Sequence, residues 1–252
     1  AAPLAVMVER STRTARGVRS LTAWRAVFGS RPTLLGGAQP VVADLWATIA
    51  TSLRIALVAT LIAAAVGALA ACAIAYSGRS GRILDVGLML PLGASAVTVG
   101  FGLIITFNRS FYDLRGSWVM LPLGQALVAV PFAVRVILPA LQTINPRQRE
   151  AAATLGASPA RAWLEVDLPV LRRSLGAAAG FAFAISIGEF GASAFLTRTG
   201  NETAPIAIAR LVARPSNLNL AEAYSLATVL AAVTLVAILI VDRLRGERGA
   251  SF

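Results

Sequence analysis

The feature that most constrains this chain is a series of apolar runs, each about as long as a membrane-spanning helix, separated by short loops rich in arginine. A helix needs about 20 predominantly apolar residues to cross the hydrocarbon core of a bilayer. Five runs reach this length, over residues 55–76, 83–107, 119–141, 175–196 and 221–241. We therefore expect an all-α membrane protein with about five transmembrane helices.

Composition supports this class and excludes others. The 252 residues are 57% hydrophobic and 14% charged, whereas a soluble domain is about 25% charged. The sequence has no histidine and one cysteine, Cys72, which excludes a Cys/His metal site and a histidine-based catalytic triad. The net charge of +11 comes from arginines dispersed between the apolar runs. This distribution predicts contact with anionic lipid headgroups rather than with nucleic acid.

Small residues and prolines in the predicted spans indicate where the helices pack closely and where they bend. In the first span, Ala63, Gly67, Ala71 and Ala75 recur at four-residue spacing, which lets a second helix approach closely. Pro91 in the second span and Pro131 in the third span bend their helices, so these spans are candidates for lining a translocation pathway. The alternative remains open, because proline and glycine are common in transmembrane helices generally.

Two charged residues lie inside predicted spans, where a charge indicates function by default. Glu189 is well inside the fourth span and either lines the pathway or bonds to the backbone of a neighbouring helix; both readings stay open. Arg135 lies near the cytosolic end of the third span, where snorkelling to the headgroups is favoured over a role in the pathway. The pathway candidates are therefore Glu189, Arg135, Pro91 and Pro131.

The polar loop over residues 143–170, between the third and fourth spans, predicts two short helices. Asn145 followed by Pro146 is a typical helix start, and Gly156 supplies the left-handed residue that ends the first helix. Ser158 with the following proline repeats the start signal. Pro169 is expected to stop the second helix.

The same loop resembles the EAA motif of bacterial ABC importer permeases. Glu150-Ala151-Ala152 is followed after three residues by Gly156, and after nine further residues by Val166, any residue and Leu168-Pro169. Val166 replaces the family's isoleucine, and every other position matches. The resemblance implies a type I ABC importer permease fold with a cytosolic helix-turn-helix coupling loop. The residues implicated in coupling are Glu150, Ala151, Ala152, Leu155, Gly156, Trp163, Val166, Leu168 and Pro169.

The resemblance also implies partners. The loop would sit in a groove of a cytosolic ABC ATPase dimer, with Leu155 and Trp163 as apolar anchors and Glu150 pairing at the rim. ATP and Mg²⁺ would bind that partner, because a chain without lysine has no Walker motif. We therefore expect a transport subunit rather than an enzyme, with no cofactor or metal of its own. An extracytoplasmic binding protein and a second permease half, identical, different or fused, would complete the importer in a bacterial cytoplasmic membrane.

A cytosolic coupling loop sets the expected topology. Residues 1–44 form a basic segment outside, residues 45–245 the transmembrane domain, and residues 246–252 a cytosolic tail. The inner loops are rich in arginine, as the positive-inside rule requires, but the N-terminal segment, with six arginines, is not expected outside. Residues 24–244 resemble the second half of the fused permeases for thiamine and ferric iron. We therefore expect either a missing preceding helix or a preceding fused half.

Cargo is the least constrained prediction. The resemblance favours thiamine or ferric iron, and importers of sulfate, molybdate or polyamines share the same loop motif. The competing class is a secondary transporter that works without ATP. Dependence of uptake on ATP rather than on an ion gradient separates the two classes.

Overall fold

A computed structural model describes residues 2–15, 18–29, 40–107, 117–198 and 200–246. The helices are α1 (Ala2–Ser11), α2 (Thr22–Val27), α3 (Leu45–Tyr76), α4 (Gly78–Gly93), α5 (Ala96–Thr106), α6 (Met120–Gln142), α7 (Pro146–Thr154), α8 (Pro159–Ala162), α9 (Leu168–Gly188), α10 (Gly191–Leu196), α11 (Ala204–Ala213) and α12 (Asn217–Gly246). A π-helical turn, Trp163–Asp167, joins α8 to α9, and strands β1 (Arg13–Ala15) and β2 (Val18–Arg19) pair antiparallel. Of the described helices, four are long and apolar enough to cross a membrane, and five if α4 and α5 form one bent span. The predicted all-α membrane architecture with about five spans is confirmed.

Helix α3 is longer than the apolar run that predicted it. Its start is set by Asp44, whose side chain accepts a hydrogen bond of 3.0 Å from the backbone N–H of Ala47. The guanidinium of Arg54 lies 4.9 Å from the centre of the Trp118 ring, a pairing typical of a membrane interface. From Arg54 to the end of the helix is about 33 Å at 1.5 Å per residue, close to the thickness of a bilayer core.

The core forms where α3, α6 and α9 pack together. Its buried members are mostly alanines and β-branched or leucine side chains, including Ala59, Ala63, Ala71, Ala129, Ala133, Val134, Ile137, Ala178 and Ala182. A Cβ atom added at Gly67 would lie 2.7 Å from the Cβ of Ala133. The predicted stripe of small residues on α3 is therefore the surface on which α6 packs, and the helices approach closely because no larger side chain intervenes.

We expect Gly67→Val to destabilise the protein by about 1–3 kcal/mol, because the added carbons must push α6 away from α3. The measurement is thermal unfolding of the purified protein in detergent. Gly87→Val is the matched control, since a Cβ at Gly87 meets nothing within 4 Å. An equal melting temperature for both variants would contradict the close approach.

The second predicted span is not one continuous helix. Helices α4 and α5 meet at a bend of 104°, so the predicted run over 83–107 is formed by two helices rather than by one. The backbone turns at Ala94 and Ser95, both in extended conformation, and the Ser95 hydroxyl accepts a 3.2 Å bond from the N–H of Val97 to start α5. Pro91 lies in the last turn of α4. A helix that ends near a proline and restarts at a serine cap has the local signals for a break.

The fourth span begins earlier and ends earlier than predicted. Pro169 does not stop the second helix of the loop, because it lies in the first turn of α9, where proline's missing N–H is tolerated. The π-helical turn and α9 therefore continue from α8 to Gly188. The span then breaks at Glu189, whose backbone is extended, and resumes as α10.

The N-terminal segment packs at the start of α3 and of α12. The rings of Phe28 and Trp46 lie 6.1 Å apart, and the Arg10 guanidinium donates a 3.2 Å hydrogen bond to the Tyr224 hydroxyl. The loop over 143–170 contacts Tyr76 at the opposite end of α3.

Parts of two predicted segments lie outside the described residues. They are residues 1, 16–17 and 30–39 of the predicted N-terminal segment and residues 247–252 of the predicted tail.

Candidate functional site: the loop over residues 143–170

Helix α7 is built by local capping, as the sequence predicted. The Asn145 side chain accepts a 3.0 Å bond from the N–H of Arg147, and Pro146 occupies the first turn. At the other end Gly156 adopts a φ of +85°, and the N–H of Ala157 bonds to the carbonyl of Ala152 at 3.0 Å. This left-handed turn satisfies carbonyls that the end of a helix would otherwise leave without partners.

The second helix of the loop starts in the predicted way. The Ser158 hydroxyl accepts a 3.3 Å bond from the N–H of Arg161, and Pro159 follows the cap. Five residues later the backbone opens into the π-helical turn Trp163–Asp167. Such turns are rare and occur frequently at functional sites. This one turns the Asp167 side chain inward, where the residue is 1% exposed.

The outer surface of the loop is small and apolar. Helix α7 has no buried residue, and Leu155 at its end is 89% exposed. Glu150, Ala151 and Gly156 are exposed beside it, while Ala152 is half-buried. A leucine this exposed next to small residues forms a surface onto which another protein can close at short backbone distance.

The remaining predicted coupling residues lie deeper in the loop. Trp163, Val166 and Leu168 are half-buried and pack against the core of α3, α6 and α9, whereas Pro169 is exposed. Trp163 therefore supports the loop from inside, whereas Leu155 and Leu164, which are 89% and 53% exposed, are apolar side chains that a partner could reach.

Behind the exposed surface, a polar cluster holds the loop to α3. The Asp167 carboxylate accepts hydrogen bonds from Arg149 Nε at 3.0 and 3.1 Å, a further bond from Arg149 Nη2, and a 3.0 Å bond from the Tyr76 hydroxyl. Arg149 Nη2 also donates to the Tyr76 hydroxyl at 3.2 Å, and the guanidinium lies 5.0 Å from the Tyr76 ring centre. Hydrogen bonding to Asp167 raises the pKa of Arg149 above its ordinary value, so this cation stays charged at all physiological pH values.

A cavity of about 450 Å³ opens beside this cluster. Its walls come from α7, α8 and the π-helical turn, and its lining residues are Tyr76, Arg149, Ala153, Ala157, Pro159, Ala162, Trp163 and Asp167. The small side chains of Ala153 and Ala157 leave this space between the two loop helices. The polar cluster thus lies at the edge of a cavity rather than in a tightly filled core.

Glu189 occupies the break between α9 and α10. Its carboxylate accepts 3.1 Å bonds from the N–H groups of Ala192 and Ser193 and a 3.3 Å bond from the Ser193 hydroxyl, and the residue is 8% exposed. Gln125 of α6 donates to the same hydroxyl at 3.2 Å. The sequence left two roles open for Glu189, which were lining the pathway and bonding to the backbone of a helix. In the structure, Glu189 bonds to helix backbone.

Arg135 lies on the exposed edge of α6. Its Nη1 is 3.9 Å from a carboxylate oxygen of Asp85 in α4, and its Nε is 3.2 Å from the sulfur of Met89. The other Asp85 oxygen is buried and has no hydrogen-bond partner among the described residues. Pro131, four residues before Arg135, is buried between helices. Glu189 and Arg135 are thus each bonded to neighbouring groups of this chain.

The fold and the loop together define a class. The chain belongs to the family of binding-protein-dependent transport system inner membrane components, whose family model matches residues 63–246. The chain is accordingly an ABC importer permease, a transport protein with several membrane-spanning helices.

Two relatives and one solved structure show which known proteins the chain is similar to. The chain is 28% identical over 228 residues to the "Putative 2-aminoethylphosphonate transport system permease protein PhnV" of Salmonella typhimurium, covering 90% of this chain and 84% of that protein. It is 31% identical over 214 residues to the thiamine transport system permease protein ThiP of Brucella abortus, covering 82% of this chain and 38% of that protein. A solved amino acid ABC transporter structure has the same fold, with a TM-score of 0.59 over 79% of this chain and 92% of that chain at 18% identity.

Three residues of the site were missed in the sequence. Asp167 and Arg149 stand in the loop as ordinary charges, and Tyr76 ends an apolar span. The one available signal was Asp167, a carboxylate placed directly before a membrane-spanning helix. Asp85, two residues into its predicted span, was missed although a charge in a span is a functional signal.

Proposed function

We propose that the loop over residues 143–170 docks a cytosolic ATPase and transmits its motion to the spans, so that ATP hydrolysis by the partner drives import through this chain. The observation that carries the proposal is the outer surface of α7. It buries no residue in its own chain and ends in the 89% exposed Leu155. Glu150, Ala151, Gly156 and Pro169 of the family pattern are exposed as well, whereas Val166 and Leu168 pack against the core. Exposed apolar area of this kind is stable in a protein when a partner covers it.

The placement of the loop supports a topology. The loop lies at one end of α3 and the N-terminal segment at the other. We propose that the loop and the tail after α12 face the cytosol and that residues 1–44 face outward, where an extracytoplasmic binding protein would approach. Cysteine labelling from the two sides of the membrane tests this assignment. Labelling of residue 155 from outside would contradict it.

For cargo, we propose a small charged nitrogen compound, with thiamine and 2-aminoethylphosphonate as the first candidates because relatives are named for both. The Glu189 carboxylate bonds to backbone within this chain, so it does not by itself favour a cationic cargo, whether thiamine or ferric iron, and ferric iron stays an alternative. Sulfate, molybdate and polyamines are the remaining alternatives from the family resemblance.

The test is uptake by proteoliposomes that contain the chain together with an ATPase, a second permease half and a binding protein that co-purify with it. Radiolabelled thiamine and 2-aminoethylphosphonate are supplied separately, with ATP inside or with a proton or sodium gradient instead. We expect uptake of one compound with ATP alone. Uptake driven by a gradient without ATP would identify a secondary transporter and overturn the proposal.

We expect Glu150→Arg to lower ATP-driven uptake at least about tenfold, because charge reversal at an interface converts an attractive contact into a repulsive one. Membrane insertion should be unchanged, since Glu150 is exposed on a helix that buries nothing. The measurements are uptake and the amount of ATPase that co-purifies. Glu9→Arg, an exposed charge reversal at the other end of the molecule, is the matched control for the amount of co-purified ATPase, because that end does not meet the ATPase. Full uptake with undiminished ATPase in the Glu150 variant would contradict the docking role.

A further inference from the structure

We propose that Asp167, held by Arg149 and Tyr76, is the joint through which movement of α7 reaches the transmembrane helices. The inference rests on the proposed function, since it assumes that an ATPase moves the loop. It adds three positioning residues outside the EAA pattern. None of them contacts cargo or nucleotide, so each acts by holding other elements in place.

The first step is the isolation of α7 from the core. No residue of α7 is buried, so apolar packing does not tie this helix to the membrane domain. Its polypeptide connections are a short turn after α6 and the turn at Gly156, where φ is +85°. A helix attached only through turns could be displaced without moving the spans. A side-chain connection is therefore needed for displacement to be transmitted directly.

Arg149 supplies this connection. It extends from α7 to the Asp167 carboxylate through both oxygens, at 3.0 and 3.1 Å from Nε, and to the Tyr76 hydroxyl at 3.2 Å from Nη2. Tyr76 is the last residue of α3, and Asp167 immediately precedes α9. One arginine therefore links the loop helix to two of the three helices that form the core. The planar guanidinium with several donors fixes direction as well as distance, which a lysine would not do.

The burial of the carboxylate makes the contact difficult to break. The side chain of Asp167 is 2% exposed, while that of Arg149 is 33% exposed. If α7 moved without Asp167, a buried charge would lose its main partner, which is strongly unfavourable. The loop, the π-helical turn and the end of α3 are therefore expected to move together. The adjoining cavity of about 450 Å³ leaves room for α7 and α8 to shift relative to each other while this contact persists.

The π-helical turn explains why the joint is placed where it is. It occupies Trp163–Asp167, directly between the second loop helix and α9. A wider turn rotates the residues that follow it relative to those before it. In this chain it lets Trp163 pack on the core while Asp167 faces Arg149.

The experiment measures coupling, as the number of cargo molecules transported per ATP hydrolysed, in the proteoliposomes described above. We expect Arg149→Gln to lower this ratio about tenfold or more, because the buried carboxylate loses its cation. Tyr76→Phe removes one hydroxyl and should lower it about threefold. The ATPase should still co-purify with both variants, because neither side chain lies on the outer surface of α7. Arg172→Gln, an exposed arginine on α9 outside the loop over residues 143–170, is the matched control and should keep the ratio of the unaltered chain.

The outcomes separate the two proposals. If the unaltered chain neither retains an ATPase nor shows ATP-driven uptake, the proposed function fails. Suppose instead that the unaltered chain transports cargo, and that Arg149→Gln and Tyr76→Phe keep its ratio of transport to hydrolysis. The proposed role of Asp167 is then contradicted, while the proposed function stands. If the three residues had a purely structural role, the variants would yield less folded complex, but the remaining complexes would transport the same amount of cargo per ATP. That result would also contradict the proposal that Asp167 transmits movement. Partial recovery of the ratio in Arg149→Lys, which restores the charge, would support it.

Discussion

Gly156→Val is expected to abolish ATP-driven uptake while the chain still inserts into the membrane. Gly156 has a φ of +85°, a conformation that costs a β-branched residue about 1–3 kcal/mol. An added Cβ would meet nothing within 4 Å, so the cost comes from the backbone alone. The turn would relax toward ordinary φ values and rotate α7 away from α8. Uptake, ATPase co-purification and the yield of membrane-inserted protein are the measurements.

The control for this substitution is Gly176→Val. Gly176 lies inside α9 and has an ordinary helical φ, and a Cβ there also meets nothing within 4 Å. Uptake in this variant should stay close to that of the unaltered chain. Normal uptake in Gly156→Val as well would show that the conformation of this turn is not needed for coupling.

Glu189→Ala is expected to destabilise the protein by about 2–6 kcal/mol, because two buried N–H groups, those of Ala192 and Ser193, would lose their acceptor at about 1–3 kcal/mol each. Within a membrane no bulk water replaces the lost carboxylate. Glu189→Gln keeps one acceptor oxygen and should lose roughly half as much. Thermal unfolding in detergent measures both variants.

Glu9→Ala removes an exposed carboxylate and serves as the control, with an expected change within about 0.5 kcal/mol. The measurement also separates the two readings of Glu189. Loss of uptake in Glu189→Gln at unchanged stability would show that the carboxylate acts on cargo, and would contradict its role as the cap of α10.

The spans break at two places, between α4 and α5 and at Glu189. Local sequence signals account for the first break, and packing between helices accounts for the second. The break between α4 and α5 has local signals in Pro91 and Ser95. The break at Glu189 has none, because Gly188 and Gly191 are as compatible with a continuous membrane helix as with a turn. At that position α5 and α10 touch backbone to backbone, since a Cβ on Gly100 would lie 2.7 Å from the Cα of Ala192. Packing between segments about ninety residues apart, not local propensity, decides that the span breaks there.

The sequence by itself determined the membrane class, the apolar runs of about five spans and the caps of the loop over residues 143–170. Hydrophobic length, Asn145, Gly156 and Ser158 each act over a few neighbouring residues, so they can be read from the order of residues. Only the tertiary structure decided the polar contacts between spans: Tyr76 meets Asp167 across 91 positions, and Arg135 meets Met89 across 46. Such contacts depend on the rotation and depth of each helix, which are set by how α3, α6 and α9 pack. A sequence pattern shows that a segment is helical, but it does not show how that helix is rotated about its axis relative to the helices beside it.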